Sequence, residues 1–157
     1  MTRIHVQWTM TVFTLVLAFL PGQVLAQESR LAGQAIHCAA IFSWLGKTYS
    51  AESERGARSG KAVEIFTDVH FKEISGKTGD SGREISLRRR SEEAQALQGP
   101  WLAMDASLME HAVICGAWAE GFLAQGAAYQ YVPVYPKVVP SAVRNQYQTW
   151  VSEAMGH

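Results

Sequence analysis

The feature that most restricts this chain is a spacing of apolar residues that occurs twice, each time around one of its two cysteines. From Leu31 the series runs through Ala35, Cys38, Phe42, Leu45 and Tyr49 in steps of 4, 3, 4, 3 and 4. From Leu108 it runs through Ala112, Cys115, Ala119 and Phe122 in steps of 4, 3, 4 and 3. Such steps keep successive side chains on one helical face, so both stretches predict helices with a buried stripe and a cysteine in the middle of it. Ser29 is placed to cap the first helix, and Ser107 with Glu110 has the spacing of a capping box for the second.

Two cysteines in an oxidising compartment favour a bridge between Cys38 and Cys115, 77 positions apart. Closing a loop of that length restricts the unfolded chain by up to about 4.5 kcal/mol. The alternatives are two reduced buried thiols or two metal ligands.

The compartment is suggested by residues 1–26. Arg3 and His5 precede an eleven-residue apolar run from Met10 to Leu20; Pro21-Gly22 breaks the run, and Val24-Leu25-Ala26 forms a cleavage-like end. A membrane-spanning helix needs about 20 apolar residues. The expectation is a secretory signal over 1–26, a single helical domain over 27–157, no stable membrane span after cleavage, and a periplasmic or secreted location. Retention of the leader as an anchor is the alternative.

Composition narrows the class further. The chain is 48% hydrophobic and 18% charged, which argues against disorder. Its 14 basic and 14 acidic residues cancel, leaving no global field for nucleic acid.

The middle of the chain is ambiguous. Val63, Ile65, Thr67, Val69 and Phe71 alternate as a half-buried strand does, whereas a helix gathers Ala62, Ile65, Phe66 and Val69 and leaves Val63 and Phe71 off the face. The only hairpin partner, around Ile85 and Leu87, is weak, and a lone hairpin is marginal. Helix is therefore expected. The Gly/Ser-rich run 75–82 reads as a flexible loop, Ser91-Glu92-Glu93 as the start of a short helix, and Gly99-Pro100 as its stop.

Residues 129–140 hold three prolines with Tyr129, Tyr131 and Tyr135, and predict an extended strap. A last helix is expected from Ser141, with Val143, Tyr147, Trp150 and Ala154 on one side. The fold class is all-α, a bundle of four to five helices with one disulfide. The cysteine helices are expected as its central antiparallel pair, with the charged middle outside. The alternative is α+β with a hairpin within 62–90.

Motifs for chemistry are sparse. Gly76-Lys77-Thr78 ends like a phosphate-binding loop, but that pattern requires glycine where Phe71 stands. Gly79-Asp80-Ser81-Gly82 resembles the nucleophile turn of trypsin-like proteases, but Arg83 occupies the next glycine position. No Cys-x-x-Cys-His is present, which excludes covalently attached c-type haem. His111 lies four residues before Cys115 on one face, and His37 adjoins Cys38 but points about 100° away on an ideal helix. These are weak metal candidates, and no metal or other cofactor is expected. Arg88, Arg89 and Arg90, with Tyr129, Tyr131 and Tyr135, are the candidate partner-binding residues, because arginine and aromatics dominate interface hot spots.

Cys115-Gly-Ala-Trp118-Ala-Glu-Gly121 resembles the Cys-x-x-aromatic-x-x-Gly helix of small periplasmic immunity proteins that neutralise cell-wall amidases of type VI secretion. The likeness covers seven residues. It implies an inhibitor-like binder. The resulting expectation is a non-catalytic exported protein-binding module, of inhibitor, immunity or assembly-accessory type, with a protein partner in the cell envelope. A periplasmic metal- or small-ligand-binding protein is the alternative.

Overall fold

A computed structural model describes residues 29–125 and 135–156. The expected leader and the first six residues of the expected strap, 129–134, lie outside the described residues. Among the described residues the fold is all-α, with six helices, no strand and the bridge Cys38–Cys115.

Helix α1 spans Arg30–Thr48. The Ser29 hydroxyl caps it by accepting from the Ala32 amide at 3.1 Å, which satisfies one of the orphan donors of the first turn. The same hydroxyl donates to Glu73 at 2.9 Å, tying that cap to the second helix. The 4-3 series then buries Ala35, Cys38, Phe42 and Leu45 as the spacing requires, with Ile36 and Ile41 widening the face.

Helix α2, Glu54–Thr78, is capped by Ser53 through the Gly56 amide at 3.0 Å. Its entry is tight: a Cβ on Gly56 would lie 2.0 Å from the Ser50 carbonyl oxygen, so only glycine fits there. Ala62, Ile65, Phe66 and Val69 are buried, while Val63 and Phe71 are only half-buried. The helical grouping thus wins over the alternating one, because α1 offers this stripe an apolar partner along its length, and the hairpin alternative within 62–90 is overturned.

The Gly/Ser-rich loop expected at 75–82 is also corrected. Helix α2 continues to Thr78, Gly79 ends it at φ 57, and one 3-10 turn, Gly79–Ser81, leads into α3, Gly82–Ala96. Ser91 is therefore internal to α3 and caps nothing. At Gly99-Pro100 the chain bends rather than stops. Pro100 lies in the first turn of a short helix α4, Gln98–Leu102, where a missing amide proton costs nothing. This extra helix carries the count beyond the expected four to five. Its Trp101 stacks on Trp44, with centroids 5.8 Å apart, and the Trp44 indole donates to the Ala94 carbonyl at 2.8 Å.

Helix α5, Ala106–Leu123, starts one residue before the expected cap. Asp105, not Ser107, accepts from the Leu108 amide at 2.9 Å, and Glu110 is bound by Arg144 instead of reaching back. Helix α6, Ser141–Ala154, has Pro140 at its N-cap, so Ser141 is the first helical residue. It docks on α5 through a close approach: a Cβ on Gly116 would sit 2.3 Å from the Tyr147 ring.

The packing corrects the expected layout. Helix α1 lies most extensively against α2, and α5 against α6, while α1 and α5 meet closely only over a short stretch. The bridge joins these two layers, with Cα atoms 5.3 Å apart. Charged α2 is thus not a wrapping: it buries Ala62, Ile65, Phe66 and Val69 in the core. Phe66 meets Trp118 at 4.9 Å and Phe122 at 6.1 Å, and Phe42 meets Tyr147 edge-on at 6.0 Å. Such pairs contribute about 0.5–1.5 kcal/mol each beyond their burial. The buried Tyr147 hydroxyl donates to Glu120 at 2.7 Å, and Arg58 holds the other carboxylate oxygen, so both oxygens of that carboxylate are paired.

Candidate functional site

The bridge brings together two histidines that are 74 positions apart in the chain. His37 precedes Cys38 on α1, and His111 precedes Cys115 by one turn on α5. His37 Nε2 lies 3.2 Å from His111 Nδ1, and the rings meet edge to face at 5.2 Å between centroids. Helix α3 adds Glu93, whose carboxylate is 2.7 Å from His37 Nδ1. A carboxylate only accepts, so His37 carries its proton on Nδ1 and turns the Nε2 lone pair toward His111, which donates from Nδ1.

The electrostatics follow from these contacts. The hydrogen bond from His37 holds the Glu93 carboxyl below the ordinary carboxylate range. Partial burial, then the nearness of His37, lowers the pKa of His111. His37 and Glu93 side chains remain 23% and 27% exposed, so the site is a rim open to solvent.

The sulfurs play no part as ligands, since both are consumed in the bridge. His37 does point off the cysteine stripe, as expected, yet it reaches His111 because both histidines flank the bridge on the same side. Among the described residues, no group of three or more His, Cys, Asp or Glu side chains has metal-holding geometry. The pair offers two nitrogen donors and one orienting carboxylate.

The arginine run separates. Arg88 is exposed and Arg89 half-buried, and they approach Glu92 at 3.8 and 3.0 Å. Arg90 turns inward to Thr67 Oγ1 at 3.3 Å and lines a cleft between α2 and α3 of about 150 Å³. That volume falls short of the roughly 300–1,000 Å³ of small-molecule sites. Tyr135 packs edge-on against Trp118 at 5.4 Å, and burial raises its pKa, so this end of the strap covers the protein's own core. Tyr129 and Tyr131 lie outside the described residues.

Three features had no signal in the spacing. Glu93 stood out only as a helix-start acid. His70 and Ser86 form a buried pair, His70 Nδ1 to Ser86 Oγ at 2.8 Å, and the hydroxyl donates in turn to the Gly82 carbonyl. Leu102 is 69% exposed and Met104 41%, and Met104 holds φ 53, an uncommon conformation for a residue with a side chain. A Met in a turn of three small or apolar residues could have flagged that ridge.

No protein-family model, no curated protein and no solved structure matches this chain. Among the described residues, no helix is long and apolar enough to cross a membrane.

Proposed function

We propose that this chain is a non-catalytic module, exported to the periplasm, that binds a protein partner in the cell envelope as an inhibitor, immunity-type or assembly-accessory protein. The observation that carries the reading is the ridge Leu102–Met104. Two large apolar side chains stand in solvent beside each other, on a turn whose Met104 backbone sits in the left-handed region. Such a conformation costs on the order of 1 kcal/mol or more and persists only where neighbours impose it. Here Trp101, buried against Trp44, anchors the turn from below. An apolar ridge on a braced helical body offers another protein a surface to cover. Export is supported by the apolar run over 10–20 and by a bridge suited to an oxidising compartment.

Photocrosslinking tests the reading. A photoreactive residue at 102, in cells that express the chain, is expected to give one discrete protein adduct, while the same residue at exposed Glu84 gives none. Fractionation is expected to place the chain in the periplasm with Gln27 at its new N-terminus. An absent adduct at 102, or the same ladder from both positions, refutes partner binding through this ridge.

A further inference from the structure

We infer that His37 and His111 form a binding site for one divalent transition-metal ion of the copper or zinc type, with His37 Nε2 and His111 Nδ1 as donors and Glu93 as the positioning group. This goes beyond partner binding and is independent of it.

Metal–imidazole bonds are about 2.0–2.1 Å long, so two of them at a tetrahedral angle place their nitrogens about 3.3 Å apart, and at a right angle about 2.9 Å. The nitrogens here are 3.2 Å apart, between those limits. A ligating histidine ordinarily gives its other N–H to a carboxylate, which fixes the tautomer and strengthens the donor. His37 already does so to Glu93 at 2.7 Å. Glu93 sits on a third helix, so the orienting contact is tertiary.

Both rings project from helices joined by the bridge within one turn of each, so their separation is held. His111 is exposed, leaving room for water in the remaining coordination positions. The nearby acids are otherwise engaged: Arg144 grips both Glu110 oxygens at 2.6 and 2.9 Å, and Asp105 caps α5. When the ion enters, the proton on His111 Nδ1 moves to its Nε2, so a neutral pair binds without net proton release.

The test is titration of the purified chain with Cu²⁺ and with Zn²⁺ against a competing chromophoric chelator, with electron paramagnetic resonance on the copper form. One ion per chain is expected, with hyperfine coupling to two imidazole nitrogens. His37→Gln and His111→Gln should each weaken binding at least tenfold and remove the two-nitrogen signal. Glu93→Gln keeps both donors and should weaken binding about 10- to 100-fold. His157→Gln should change nothing. Circular dichroism checks that each variant keeps its helices, and Glu93→Gln keeps the test decisive if a histidine variant does not. Failure to bind either ion, affinity unchanged in His111→Gln or Glu93→Gln, or binding lost in His157→Gln would each overturn the site.

Discussion

Two histidine pairs in this molecule make opposite use of the same side chain. His70 is 1% exposed and Ser86 is fully buried between α2 and α3, with the hydroxyl donating a hydrogen bond to the Gly82 carbonyl. That chain of donors and acceptors is turned inward and serves packing. His37 and His111 stand on a rim, where one ring is held by a carboxylate and the other faces solvent. The difference teaches that a histidine becomes a candidate ligand not by its neighbours in sequence but by where its second nitrogen ends up. Inside the bundle that nitrogen is part of the core; at the rim it can be offered to something else.

The comparison can be broken at its common support first. Replacing both cysteines with alanine removes up to about 4.5 kcal/mol of stability, read from the denaturant midpoint, because the bridge closes a loop of 77 positions and restricts the unfolded chain. If the midpoint hardly moves, the layers are held by packing alone, and the rim pair does not depend on the bridge. Next in size is the inner pair. Ser86→Ala leaves the His70 N–H buried without this acceptor and should cost about 1–3 kcal/mol in the same assay. The equivalent change at the rim, His111→Gln, should stay within about 1 kcal/mol, since water replaces the lost contact. Equal costs for the two substitutions would erase the distinction between packing and rim.

The smallest effect is on pH. His111 has its pKa lowered in the folded state, so folding sheds protons there, and its contribution fades as pH falls through the usual imidazole value of 6.5. Glu93 is also lowered, and its contribution, present above the ordinary carboxylate range, is lost as pH falls further. Denaturation curves between pH 7 and pH 4 should therefore show falling stability, and His111→Gln should flatten the upper part of that slope. A slope unchanged by the substitution would mean that the rim ring is no more buried than in the unfolded chain.

How much of this was legible varies from helix to helix. The stripe of α1, and the set Ala62, Ile65, Phe66 and Val69 on α2, were readable because apolar residues repeat at helical spacing where a partner face exists. Helix α3 was misread as a loop followed by a short helix. Its buried residues are Gly82 and Ser86, neither of them apolar enough to leave a stripe, so composition around Gly76–Gly82 dominated. The start of α5 was misplaced because Asp105 and Ser107 are both capping residue types; Asp105 takes the cap, and Glu110, the partner that a Ser107 box needs, is held by Arg144 on another helix. In the candidate site, His37 and His111 were visible as weak metal candidates and Glu93 was not, since 56 positions separate Glu93 from its partner.

Sequence alone determined that the stretches around Cys38 and Cys115 would be helices with each cysteine on a buried stripe, because periodicity is a local property that survives any arrangement of the helices. Only the tertiary structure decided that α1 pairs mainly with α2, that a glycine at 116 admits the Tyr147 ring, and that two histidines and a glutamate converge. Those outcomes depend on how helices cross and rotate about their axes, and that is set by the summed packing of distant side chains rather than by any one segment.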